Sequence, residues 1–249
     1  MTEAEKIYFE SVVREILMTN RSAGYNIGTY KEKRLHNIIK YFLEPNDAFH
    51  EIKIGKFTAD ILRDKEIIEV QTGSFYPMRE KIKYYLKQTD LNVSVVRPLP
   101  YIKWCVWIDK ESGEIASRKR SPKKYVPQSV MRDWIFLSDF LNNPRLKIRF
   151  LLLEAEEYRF LDGWSSDKKR GSNRYEIIPL RIIDEEIFGC AEEYLRFLPS
   201  DIENGFTAAE YNKKIGVTPL VGNATLKLLC NIGILRREKQ GRAYIYFRI

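Results

Sequence analysis

FTADILRDKEIIEVQT, residues 57–72, decides how the fold is read. Two apolar runs, Phe57–Leu62 and Ile67–Thr72, are separated only by Arg63–Glu66, a spacing that suggests an antiparallel hairpin. Within the second run the residues alternate. Glu69 and Gln71 project from one face, while Ile68 and Val70 turn into the core. Asp60 sits in the first run, nine residues before Glu69, and pairing of the two strands brings the carboxylates together on a shared face. Paired carboxylates repel unless something neutralises them, and a hard divalent cation does so through oxygen ligands. Magnesium is the natural candidate, with manganese as its substitute. The plain alternative is a pair of edge-strand polar residues facing solvent.

Working outward, a third strand-like run, His50–Ile54, precedes the pair across the short spacer Gly55-Lys56. Before it, Leu35, Ile38, Ile39 and Phe42 mark a helix over about 31–43. Ile7, Val12, Val13, Ile16 and Leu17 mark another over 3–18. After the pair, a helix is expected from Pro77 to Lys87, then strands at Val93–Arg97 and Ile102–Ile108. Helix, three strands, helix, strand describes an α/β domain with a mixed sheet. A helix over Val130–Leu141 and a strand over Leu146–Leu153 continue it. SRKRSPKK (117–124) and DGWSSDKKRGSNR (162–174) read as polar loops. Trp104 and Trp107 fall on opposite faces of one strand, which places at least one in the core.

This order resembles the restriction-endonuclease-like, or PD-(D/E)xK, nuclease superfamily, whose core is α-β-β-β-α-β. The match is Asp60 with Glu69-Val70-Gln71, in the Glu-x-Gln style of competence CoiA-type nucleases, and it covers roughly residues 28–110. Ala59 stands where the motif has proline, and Gln71 where it has lysine. The resemblance implies a Mg2+- or Mn2+-dependent nuclease. Asp60, Glu69 and the Val70 carbonyl would hold the metal, and Gln71 would orient the attacking water, since an amide cannot act as a base at neutral pH. Lys81 or Lys83 on the following helix, with Lys83 preferred, would supply the missing positive charge. Glu32 matches the glutamate that many members add from the preceding helix. Thr29-x-x-Glu32 is also a capping box, so Glu32 serves the helix start, the metal, or both. His36, one turn later, reads as a half-exposed helix histidine within reach of a phosphate or water.

After about residue 184 the pattern turns helical: Ile187–Leu198, then TAAEYNKKIG capped by Thr207, then a helix opened by Thr218-Pro219. Two strand-like runs around Gln240-Gly241 close the chain. Residues 223–247, NATLKLLCNIGILRREKQGRAYIYF, resemble a winged helix-turn-helix, with Leu226, Leu229, Ile232 and Leu235 as its core. The expected organisation is a nuclease-like domain over 1–183 and a winged-helix domain over 184–249.

The chain has 249 residues, 42 Lys plus Arg against 34 Asp plus Glu, and a net charge of +8. Residues 205–249 hold eight basic residues against two acids. That surface suits phosphate contact. Asn223, Thr225 and Lys227 on the exposed helix face are expected to touch nucleic acid. So are Arg236, Arg237, Lys239 and Arg242 of the hairpin, and Arg118, Arg120, Lys168, Lys169 and Arg170 of the two polar stretches. DNA is the expected partner, RNA a further one, and a homodimer is left open. Rival readings are an inactive nuclease fold that only binds DNA, and a winged helix that docks protein.

Hydrophobic residues at 44% and aromatics at 13% suffice for a core and exclude a wholly disordered chain. No apolar run approaches the ~20 residues a bilayer requires. The charged N-terminus lacks the apolar stretch of a signal peptide. Three scattered cysteines and two histidines argue against a disulfide scaffold and a zinc site. A soluble cytoplasmic protein is expected.

Overall fold

The computed structural model describes residues 1–22, 33–109, 112–160 and 173–249. It is a mixed α/β structure. A seven-stranded mixed sheet is built from β1 (His50–Ile54), β2 (Phe57–Arg63), β3 (Glu66–Val70), β4 (Asn92–Ile108), β5 (Ile115–Arg120), β6 (Leu146–Phe160) and β7 (Asn173–Phe188). The order is β1-β2-β3-β4-β6-β7, with β5 added to β4. β1, β2 and β3 form antiparallel hairpins, whereas β3, β4 and β6 run parallel. A parallel step needs a crossover, and α3 (Arg79–Gln88) supplies it between β3 and β4.

Helices cover both faces, so β3 is buried from Ile67 to Val70, Glu69 included. On one face α1 (Glu3–Ser22) and α2 (Lys33–Leu43) pack Phe9, Leu35, Ile38 and Ile39 against Ile61, Ile68, Val70 and Val96. On the other, Ile82, Tyr85 and Leu86 of α3 cover Ile67, Val93 and Val95. The same core takes in the helical stretch 127–140, which contains α4 (Met131–Trp134) between two 3₁₀ segments. Trp134 is fully buried there, against Phe150 and Phe188.

α5 (Ala191–Tyr194) leads into the C-terminal segment, which comprises β8 (Phe206–Thr207), α6 (Ala208–Ile215), α7 (Pro219–Asn231), β9 (Leu235–Gln240) and β10 (Ala243–Arg248). The three strands form a second sheet, ordered β8-β10-β9. Thr207 and Glu210 close a capping box at the start of α6, and Gly216, at φ +64°, ends that helix in the left-handed region. Gly222 is where α6 and α7 touch: a Cβ there would lie 1.5 Å from the Asn212 side-chain oxygen. Leu226, Leu229, Ile232 and Leu235 are buried as expected, and so is Leu228. α7 also packs on the stretch 131–140, where Asn231 donates to the Ser138 hydroxyl (3.0 Å) and Asn142 to the Ile232 carbonyl (3.2 Å). One apolar cluster therefore runs from Ala59 to Tyr246.

Several expectations are corrected. Residues 93–108 form one strand rather than two. The apparent break, Pro98 and Pro100, falls on the edge of β4 that β3 has already left at Val96 and β5 has not yet joined, so no amide is missed. Residues 115–120 form β5 rather than a loop, β6 extends to Phe160, and 173–188 form β7, so residue 184 lies within a strand. The helix expected at Ile187–Leu198 is a turn of α5 and a 3₁₀ segment. Neither Trp104 nor Trp107 is core: both are half-buried at the polar end of the sheet. Among the described residues no helix is long and apolar enough to cross a membrane.

Candidate functional site

The last described pair of the β2–β3 ladder is Ile61 with Ile68, and Asp60 and Glu69 are the next residues where the strands diverge. Each carboxylate is held by a different helix layer. From α2, His36 Nε2 lies 3.1 Å from Asp60 Oδ2, and the Val70 amide donates to the same oxygen at 2.8 Å. A strand residue points its N–H and C=O to the same edge, so the Val70 carbonyl also faces Asp60. From α3, Lys81 Nζ lies 2.6 Å from Glu69 Oε2, and the Tyr85 hydroxyl donates to Oε1 at 3.1 Å.

The surroundings push the two acids in opposite directions. Glu69 is 2% exposed. Burial, and then the charge of Asp60, push its pKa up to about 7, despite the Lys81 ion pair and the Tyr85 hydrogen bond. Asp60 also feels burial raising it, but the His36 hydrogen bond and charge, the Val70 amide and Lys81 outweigh it and leave its pKa below the usual range. Burial and the neighbouring Asp60 charge both disfavour an ionised Glu69, and a proton or a cation there would relieve them.

Gln71 follows the strand. Its amide nitrogen bonds the Val96 carbonyl at 2.9 Å, and its side-chain amide donates to the Ser74 carbonyl. Arg97 donates to the Gln71 carbonyl (3.0 Å) and to that of Gly73, while Asp133 accepts from Ser74 and from the Phe75 amide (2.9 Å). The loop after β3 is thereby pinned from β4 and from α4.

Lys81, not the preferred Lys83, meets the carboxylates: Lys83 is exposed on α3. Tyr85 was missed, although its i, i+4 spacing from Lys81 places both on one helix face. His36 is partly exposed on α2 as expected, and it is also the partner of Asp60. Glu32, Lys168, Lys169 and Arg170 lie outside the described residues. Among the described residues no three His, Cys, Asp or Glu side chains gather as a metal cluster. Two carboxylates and a backbone carbonyl remain as oxygen donors, a set that suits magnesium, which keeps several waters and takes one or two carboxylates.

Of the expected nucleic-acid residues, Asn223 and Lys227 are exposed one turn apart on α7, as are Arg236, Arg237 and Lys239 on β9 and Arg242 at the following turn. Arg236 and Arg237 rest on the rings of Phe247 and Tyr244, at 4.3 and 4.6 Å from the centroids. Thr225 is the exception: it is 0% exposed and its hydroxyl donates to the Val221 carbonyl at 3.0 Å. Its face of α7 is covered, so it cannot touch a ligand. Arg118 and Arg120 are exposed on β5, with Arg118 stacked 3.8 Å from the Trp104 ring centroid and paired to Glu156 at 2.6 Å.

Residues 33–189 match a family described as a domain of unknown function, DUF8091. That span is more than half of the chain. The chain belongs to this family. The matched DUF8091 region runs from α2 to just past β7 and so contains Asp60, Glu69, Lys81 and Tyr85. No curated protein and no solved structure gave a match.

Proposed function

We propose that this DUF8091 protein is a divalent-metal-dependent nuclease acting on DNA. Its core would be restriction-endonuclease-like and its C-terminal segment a winged helix. The observation that carries this reading is the meeting of Asp60 and Glu69 at the divergence of β2 and β3, with the ammonium of Lys81 on Glu69. The order α2, three antiparallel strands, α3, then a parallel β4 supports it. For the C-terminal segment the support is two helices followed by the basic hairpin β9–β10.

Magnesium held by Asp60, Glu69 and the Val70 carbonyl would lower the pKa of a water and offset the charge that develops on a phosphate. His36 and the Val70 amide hold Asp60 ionised and oriented. Tyr85 fixes one Glu69 oxygen. Lys81 would stand in for the motif's lysine, its charge reaching Glu69 from the helix instead of the strand. It would orient the attacking water or the phosphate while Gln71, tied to Ser74, offers its amide oxygen. Water oxygen would bond phosphorus, the bridging P–O bond would break, and the leaving oxygen would take up a proton.

The test is a cleavage panel of single-stranded, duplex and branched DNA with magnesium, manganese or EDTA. Glu69→Ala is expected to abolish metal-dependent cleavage and leave a folded protein, and undiminished cleavage by that variant refutes the assignment. A second reading, binding without cleavage, is favoured by one observation: Gln71 stands in place of lysine and its amide is engaged by the loop. Tight binding in EDTA with no cleavage in either metal decides for it.

A further inference from the structure

β4 carries a bulge beyond the carboxylates. Pro100 lies opposite Leu153 and Ile102 opposite Glu154, so Tyr101 has no partner across the ladder. Bulges of this kind re-aim a side chain and recur beside functional sites. The insertion also switches which residues face the outer edge: the Val96 carbonyl accepts from Gln71 (2.9 Å) before it, and the Lys103 carbonyl accepts from Ser121 (2.8 Å) after it.

The chain leaving β5 doubles back past the bulge. Lys124 Nζ lies 3.3 Å from the Tyr101 hydroxyl and 5.0 Å from its ring centroid. The Tyr125 ring carries Lys123 at 4.9 Å and Lys103 at 5.0 Å. Tyr101, Ile102, Arg120, Ser121, Pro122 and Lys124 line an open cleft of about 370 Å³. Lys103 and Arg118 are spoken for by Glu157 (3.1 Å) and Glu156 (2.6 Å). Among the described residues, no carboxylate pairs with Lys119, Arg120, Lys123 or Lys124. Half-buried tyrosines beside four uncompensated cations form a stacking surface with a phosphate-binding rim.

We propose that this cleft binds single-stranded nucleic acid. A base stacks on Tyr101, and the exposed Lys123 and Lys124 leave the rings for the phosphates on either side, with Arg120. A duplex keeps its bases within its own stack and has none to give a recessed ring, so the cleft selects an unpaired strand. Tyr101 lies five residues past Val96, the partner of Val70, or roughly 16 Å along the strand at ~3.3 Å per residue. A strand seated on Tyr101 can therefore run toward Asp60 and Glu69. This deepens the nuclease reading by naming its substrate class, and it rests on that reading only for what happens at the carboxylates.

Binding of labelled oligothymidylate to the full chain, followed by fluorescence anisotropy in EDTA, tests the cleft without calling on cleavage. Tyr101→Ala is expected to weaken binding about tenfold, Tyr101→Phe to bind as the parent does, and a duplex of equal length to bind more weakly and ignore both changes. Oligouridylate run alongside identifies the preferred sugar, and Tyr101-dependent binding of either strand upholds the proposal. Parent-like affinity in Tyr101→Ala overturns it. So does equal loss in Tyr101→Phe, which would assign the effect to the hydroxyl, or an equal loss for strand and duplex. A chain that grips strands through Tyr101 yet cuts nothing in magnesium or manganese refutes the nuclease reading and leaves the cleft standing.

Discussion

Glu69 is the residue on which the chemistry turns, because it is buried, acidic and next to another acid. With a folded pKa raised to about 7, above its unfolded value, the folded chain holds the Glu69 proton more tightly than the unfolded chain. The stability this confers is complete below the ordinary carboxylate range and is lost as pH rises through about 7. Urea unfolding in EDTA is expected to show this fall, on the order of 3 kcal/mol at most, and Glu69→Gln to flatten it. A cation competes with the same proton, so magnesium affinity measured by calorimetry is expected to climb up to about pH 7 and level off above it. Lys81 and Lys83 separate cleanly at this scale. Lys81→Met is expected to lower the cleavage rate at least tenfold, whereas Lys83→Met, altering an exposed side chain, leaves it unchanged; equal rates for the two variants would remove Lys81 from the site.

At the scale of elements, α7 is the helix whose surroundings matter most. It is packed against α6 on one side and the stretch 131–140 on another, which leaves Asn223 and Lys227 as an exposed stripe. Leu228→Ala is expected to cost about 2–5 kcal/mol in denaturant unfolding, a loss that a solvent-facing leucine would not show. The same packing explains what the sequence could and could not disclose. The hairpin of β2 and β3 was legible because Asp60, Glu69 and the spacer Arg63–Glu66 are local in the chain. Thr207, Gly216 and Pro219 likewise announce helix ends through local capping chemistry. Thr225 and Leu228 were not legible, since α7 is covered on two sides, Thr225 beside Tyr211 of α6 and the helix as a whole by the stretch 131–140, about 90 positions away. β7 was missed because charges such as Arg181 and Asp184–Glu186 interrupt its apolar pattern, and two of them find partners on the neighbouring strand, Arg181 with Glu154 and Glu185 with Arg149 (both 2.7 Å). Pro98 and Pro100 suggested a break because sequence does not reveal which edge of a strand lacks a neighbour. Lys81 and Tyr85 belong to the candidate site through a helix face, and the motif that identified Asp60 and Glu69 contains neither.

For the whole molecule, the net charge of +8 is unevenly spent: carboxylates answer Lys103 and Arg159 within the sheet, whereas Lys119 and Arg120 of β5, Lys123 and Lys124 after it, and Arg237, Lys239 and Arg242 of the C-terminal hairpin are exposed. Under the proposed function, the salt dependence of DNA affinity would report those exposed charges. Lys227→Ala and Arg242→Ala are each expected to lower the slope of log affinity against log salt by about one, and Thr225→Val to leave it unaltered. Slopes unchanged in both charge variants would move the interface off the C-terminal segment.

The gap along β4 between Gln71 and Ser121 has a further bearing, on self-association. An unpaired stretch of strand edge offers amides and carbonyls to any passing chain and is a standing invitation to aggregate. Here the residues whose amides would point outward, Pro98 and Pro100, have none to offer, and the Arg97 guanidinium is already bonded to the loop on that side. The opening therefore gives another polypeptide no amide donor at Pro98 or Pro100, while their side chains and carbonyls stay open to a ligand.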